Sequence, residues 1–198
     1  MENENRILEN RAEFFPEFDD IRKAVLEARE KVATTVNAAM VAAYWTVGKR
    51  LYDVQVSTGS IYGKKLIKYT SKQLQEEFGK GFDERNLRNM RQFYEAFPKW
   101  NTVCSELSWS HYRLLMRIED QEKRAYYVKE CVECAWSVRQ LERQINSFYY
   151  ERILSTNENE KAQVEDEIWK LEPDKNPKYL LKDPYILEFL ELQENRTD

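Results

Sequence analysis

From Phe18 to Val56 the chain runs without a proline and with one glycine, while apolar residues recur at Ile21, Val25, Ala28, Val32, Val36, Met40, Ala43, Val47 and Leu51. Steps of three and four are those of one helix face, because a strand would alternate its faces every two residues. The segment predicts one long helix, or two nearly collinear ones. Its stripe serves to pack a domain, but a helix of this length also overhangs its own domain and pairs with a second copy, which makes a homodimer a partner to test. Tyr44, Trp45 and Tyr52 read as core or interface anchors. With five glycines and five prolines in 198 residues, breakers are scarce elsewhere too, and the fold class expected is mainly α, with at most one minor β-hairpin.

After a loop at Ser57-Thr58-Gly59-Ser60, a second helix is expected from about Tyr62 to Phe78, with Leu66, Ile67, Thr70, Leu74 and Phe78 inward. Gly79-Lys80-Gly81 ends it. A third helix then begins at once, from Asp83 to Phe97: Asp83 is placed to accept from the free N–H groups of its first turn, and Phe82 and Leu87 have the spacing of a hydrophobic staple. Leu87, Met90, Tyr94 and Phe97 fall on one side of this helix, and Arg85, Arg88, Asn89 and Gln92 on the other. Arginine forks match guanine edges and phosphates, and carboxamides match adenine, so the polar side has the chemistry of major-groove recognition. Helix, glycine turn, helix is the order of a helix-turn-helix. In it Arg91, Lys72 and Lys80, with Lys64, Lys65 and Lys68, are available to phosphates.

The charge distribution agrees. The net charge of −4 conceals −5 over residues 1–20 and −6 over residues 155–198, which leaves +7 on the segment between them. A basic middle favours a polyanion as partner, even though the whole chain is acidic.

Beyond Pro98, Trp100 to Leu107 is the best candidate for a hairpin wing, although it lacks an Asn-Gly or Asp-Gly turn. A short helix should reach Ile118, and Asp120 should cap another, of about 14 residues, with Ala125, Val128 and Val132 inward. Ser137 with Gln140 forms a capping box, and Trp136 with Leu141 a staple, for a helix continuing to about Leu154. That helix turns Val138, Leu141, Ile145 and Phe148 inward, and Arg139 and Arg143 outward as phosphate contacts. A weak amphipathic helix surrounds Val164, Ile168 and Leu171 within an acidic linker. Asp183-Pro184 then opens a last helix, whose Tyr185, Leu187, Phe189 and Leu190 are expected to dock a partner.

Catalytic chemistry is not expected. A metal-dependent nuclease centre of the PD-(D/E)xK type needs a lysine two residues after an acid, and no Glu-x-Lys or Asp-x-Lys occurs. The one histidine, His111, in Ser-Trp-Ser-His-Tyr, reads as a buried or capping residue. Cys131 and Cys134 lie inside an expected helix rather than on a zinc knuckle, and with Cys104 they read as plain thiols. No glycine-rich phosphate loop is present. Neither metal nor cofactor is expected. The charged start is no signal peptide and no run of about 18 apolar residues occurs, so the expected location is cytoplasmic, with no membrane partner.

Several of these motifs together resemble the N-terminal domain of the bacterial YhcG family: Asn37 with Tyr44-Trp45-Thr46-Val47-Gly48, Tyr62-Gly63, Gly81-Phe82, Asn86-Leu87, Phe93-Tyr94, Leu107-Ser108-Trp109-Ser110-His111, Trp136-Ser137-Val138-Arg139-Gln140-Leu141, Tyr150-Glu151-Arg152 and Asp183-Pro184-Tyr185. Thr70, where the family usually has leucine, and Asp83, where it usually has serine, depart from the pattern; Asp83 exchanges one capping residue for another. The resemblance implies a winged-helix-like DNA-binding domain, followed in full-length members by a PD-(D/E)xK nuclease domain in defence or mobile-element systems.

The organisation expected is an acidic arm over residues 1–17, a helical domain over 18–154, a linker over 155–182, and a docking helix and tail over 183–198. The function expected is a non-catalytic module that targets a nuclease or restriction-associated system to double-stranded DNA. The alternative is a helical assembly subunit that docks a nuclease partner and leaves nucleic acid untouched.

Overall fold

The structure, a computed structural model, describes residues 17–100, 106–155 and 184–190. Among the described residues there are helices and no strands. They are α1 (Glu17–Thr58), α2 (Ser60–Phe78), a 3-10 turn (Lys80–Phe82), α3 (Glu84–Ala96), α4 (Trp109–Leu115), α5 (Gln121–Glu133), α6 (Val138–Asn146), α7 (Tyr149–Ser155) and α8 (Pro184–Phe189). The expected mainly α class therefore holds, with a long first helix. The linker and its helix around Val164, most of the N-terminal arm, and residues 101–105 of the proposed wing lie outside the described residues.

One core joins both halves. Met40 and Tyr44 of α1, Leu87, Met90 and Phe93 of α3, and Trp109, Tyr112 and Leu115 of α4 are all sealed from water. Their rings interlock edge-on: Tyr44 to Trp109 at 5.0 Å and Phe93 to Trp109 at 5.4 Å between centroids. Each such side chain contributes about 1.5–3 kcal/mol by leaving water, and edge-to-face pairs add a further 0.5–1.5 kcal/mol or so. The α1–α3 seam is tight at Gly48, where a Cβ atom would stand 2.0 Å from the carbonyl oxygen of Met90. Two backbones meet there because one residue lacks a side chain.

Gly59 alone separates α1 from α2, at φ 86°, so the loop expected over 57–60 shrinks to a single residue. Its amide donates to the Gln55 carbonyl at 2.9 Å and closes the end of α1.

Four expectations about inward faces need correction. On α1 the sealed face is Ala33, Asn37, Met40, Val41, Tyr44, Gly48 and Leu51, whereas Ile21, Val25 and Val32 are exposed, because no other described helix packs along the first turns. On α2, Phe78 is 42% exposed while Ile67 and Ser71 are buried. On α5, Tyr127 and Cys131 are buried and Ala125 is exposed. Finally, the helix expected to reach Leu154 breaks at Phe148, which takes a left-handed φ of 53° and stands 64% exposed. The break turns Tyr149 into the core, where it is 1% exposed.

Candidate nucleic-acid interface

The start of α3 is fixed by side chains from three directions. Asp83 Oδ1 accepts from the Asn86 amide at 2.6 Å, as its capping role requires. Asn86 is itself buried; its Nδ2 donates to the Gly81 carbonyl at 2.7 Å and its Oδ1 accepts from Trp109 Nε1 at 3.1 Å. Turn, helix and α4 are thus tied through one carboxamide. The sequence marks Asn86 only through the Asn86-Leu87 motif and gives it no structural role; its position three residues after a capping aspartate is the available signal.

Of the five polar residues expected on or beside the open face, three stand there. Arg85 and Arg88 are exposed and Asn89 is half-buried. Arg88 Nη2 lies 2.5 Å from Glu84 Oε2, an i,i+4 pair with 53% and 38% of the two side chains exposed. A pair so wetted is worth a few tenths of a kcal/mol and can be exchanged for a phosphate. Arg91 and Gln92 turn elsewhere: Arg91 Nη1 donates to Gln55 Oε1 of α1, and Gln92 Nε2 donates to the Met116 carbonyl at 3.3 Å. Both flank the seam of Met90 and Phe93, and their long side chains reach the neighbouring elements before they reach solvent.

Two clefts border this helix. One of about 490 Å³ runs between α2 and the start of α3, lined by Lys68, Ser71, Lys72, Gln75, Glu76 and Glu84. Lys72 Nζ lies 3.9 Å from Glu76 Oε1, with both side chains mostly exposed. The other, about 260 Å³, brings Lys80, Arg85, Asn89 and Arg113 together with Asp83 and Glu188. Its outer wall is α8.

That helix is seated on this chain's own core. Ile186 is 1% exposed, Phe189 meets Tyr44 at 6.0 Å between centroids, and the Arg113 guanidinium lies 5.1 Å from the Tyr185 ring centre. Glu188 packs so near Gly81 that a Cβ there would stand 3.4 Å from its own Cβ. Tyr185 and Phe189, expected to meet a partner, are therefore occupied in cis; Leu187 is half-buried and Leu190 is 41% exposed. Arg139 and Arg143 are exposed on α6, which packs on α4 and α7. Its start has both halves of the expected capping box: Gln140 Oε1 accepts from the Ser137 amide at 2.7 Å, and Ser137 Oγ accepts from the Gln140 amide at 3.3 Å.

The residues with chemical reactivity are engaged in structure. His111 Nδ1 accepts from the Ser108 amide at 3.2 Å, and its Nε2 lies 2.9 Å from the Trp136 carbonyl. A carbonyl only accepts, so Nε2 carries the proton and the ring is neutral. Burial lowers its pKa, and the bond to Trp136 opposes that shift. This is a buried capping histidine, as the sequence implied. Burial likewise pushes the Cys131 thiol up, and Cys134 follows under burial and the Glu130 and Glu133 charges. Neither favours the thiolate that a zinc site needs. Among the described residues no cluster of three His, Cys, Asp or Glu could hold a metal, and no helix is long and apolar enough to cross a membrane.

The described residues thus define a helical domain built around a long first helix, with an arginine-bearing helix packed against it. The chain belongs to the DUF1016 N-terminal domain family, whose model matches residues 20–152. It is 32% identical over 214 residues to the protein named "Putative nuclease YhcG" of Escherichia coli (strain K12), a match covering 91% of this chain and 56% of that protein. The chain thus spans a little over half the length of that relative. No solved structure gives a significant match.

Proposed function

We propose that this domain binds double-stranded DNA and delivers a nuclease to it, with α3 in the major groove and α2 bracing against the backbone. The observation that carries the proposal is the outer side of α3, where Arg85 and Arg88 are exposed beside Asn89 on a helix whose start is fixed by Asp83 and Asn86. On a backbone held in this way, each planar fork meets guanine edges or phosphates with less freedom lost per hydrogen bond than a lysine would lose. Lys72 and Lys80 flank them and supply salt-dependent affinity through counterion release. Arg91 and Gln92 act within this reading as struts, and Arg139 and Arg143 as more distant phosphate contacts. The nuclease half of the proposal draws on the name of the E. coli relative, whose greater length leaves room for a catalytic domain.

Fluorescence anisotropy with a duplex at several salt concentrations tests the reading. Each arginine lost from a base edge costs about 1–3 kcal/mol, so Arg85→Ala with Arg88→Ala should weaken binding at least tenfold and flatten the salt slope. The melting temperature should stay within a few degrees of wild type. Unchanged affinity in the double variant overturns the proposal. The alternative, an assembly subunit that docks a partner through the long first helix and the segment from Tyr185 to Leu192, would have to do so with Ile186 and Phe189 already seated on the chain's own core.

A further inference from the structure

α1 carries two distinct faces. One is the sealed face that begins at Ala33. The other, a residue out of phase with it, runs Phe18, Ile21, Val25, Ala28, Val32, Thr35, Ala39, Ala42 and Thr46 in steps of three and four. It is apolar or small throughout, and only Ala42 among these residues is not exposed. Phe18, Ile21, Val25 and Val32 show 61%, 62%, 48% and 56% of their surface to water. Steps that alternate between three and four assign these residues to the a and d positions of four successive heptads and the a position of a fifth.

We propose that this face pairs with the same face of a second copy of the chain, as a parallel two-stranded coiled coil. The chemistry selects that occupant. Val25 and Val32 fall at a positions, where β-branched residues favour two parallel strands. In the parallel register Glu17 of one copy faces Arg22 of the other, twice by symmetry. The remaining flanking pairs, Ala24 with Arg29, Lys31 with Val36 and Ala38 with Ala43, bring no like charges together. An antiparallel pair overlapping along the whole face would set Arg29 against Arg29 and Lys31 against Lys31 at its centre. The four large residues leave roughly 450 Å² uncovered per copy, about 900 Å² for a pair, and the exposed Thr35, Ala39 and Thr46 stretch extends the face toward the 1,200 Å² or so at which specific interfaces begin. The small residues of that stretch let the two helices approach where each already carries its own domain.

Parallel pairing puts both α3 helices at the same end of the rod, related by the two-fold axis. Resting on the DNA-binding reading, that arrangement takes two inverted half-sites in one duplex; the pairing itself does not depend on DNA.

Light scattering on the chain without DNA, at micromolar concentration, should give twice the 23.9 kDa of one copy. Ile21→Glu with Val25→Glu should halve that mass and leave the helical circular dichroism nearly intact, since both positions are exposed. Under mild oxidation Phe18→Cys should form a disulfide-linked dimer absent from wild type, which controls for the native thiols; an antiparallel pair would hold the two copies of residue 18 too far apart. A monomeric wild type, a double variant that still dimerises, or no Phe18→Cys crosslink overturns the proposal. Failure to bind DNA with the dimer intact counts only against the DNA reading.

Discussion

Gly48→Ala isolates the seam on which α3 depends. The added methyl would stand 2.0 Å from the Met90 carbonyl oxygen and 2.6 Å from its carbon, where ordinary contact begins at 3.4 Å. Both atoms are backbone, so no rotamer change relieves the clash, and α1 and α3 must separate by about an ångström. A gap of that size forfeits roughly a quarter to a half of the dispersion energy of the atoms facing it. Overpacking of this kind costs typically 1–3 kcal/mol, occasionally more, and a backbone clash inside a seam sealed by Tyr44, Leu87 and Met90 belongs at or above the upper end of about 3 kcal/mol. Alanine's better helix propensity returns about 1 kcal/mol. The expected net loss is about 2–3 kcal/mol, or roughly 5–10 °C in Tm for a chain of this size. Urea and thermal unfolding followed by circular dichroism at 222 nm or so read it directly. Gly63→Ala is the control: its methyl meets the Gln55 side chain at 3.2 Å, which can move, so it should stay within about 1 kcal/mol of wild type. If Gly48→Ala melts at or above wild type, helix propensity has outweighed the clash and the close crossing is refuted.

Asn86→Ala leaves the Trp109 Nε1–H and the Gly81 carbonyl without partners in a buried site, and should cost about 2–4 kcal/mol in urea unfolding; a loss below 1 kcal/mol or so would mean that water replaces the carboxamide. Because the folded pKa of His111 lies below 6.5, its contribution is complete above that pH and is lost as pH falls through the lowered value, the unfolded chain taking up the proton first. Stability measured from pH 8 to 5 should therefore fall more steeply in wild type than in His111→Gln, and parallel curves would contradict the assignment. Ala135 follows the C-cap of α5 at φ 49°, and the Trp136 amide reaches back to the Cys131 carbonyl at 3.1 Å, the pattern that favours glycine. Ala135→Gly should raise stability by about 0.5–1 kcal/mol in the same unfolding assay, and a loss would show that the strain is absent.

What could be read from sequence was local. Asp83, Asp120 and Ser137 announce helix starts because a short oxygen-bearing side chain before an apolar period satisfies amides in its own turn, and all three cap as expected. His111 belongs with them, three residues after Ser108. Choices made by distant partners were hidden. Arg91 and Gln92 have the spacing of an open face, but α1 and the end of α4 lie within reach of their side chains. Phe148 continues the apolar period of α6, yet Tyr149 takes the core position and forces a left-handed residue between two helices. The segment from Tyr185 to Leu190 was legible as apolar and in need of cover, while the cover, around Tyr44 and Phe82, became visible only in three dimensions.

The lone residue between α1 and α2 has a corollary for how chains of this kind can vary. A longer connection absorbs an insertion as slack, but one added residue beside Gly59 would rotate α2 by about 100° relative to α1. Ile67 and Ser71 would swing off the seam and Leu66 and Thr70 would take their places, while one residue lost would bring Lys68 and Lys72 there instead. Gains and losses of length should therefore collect at other junctions, and this joint should keep its residue count fixed.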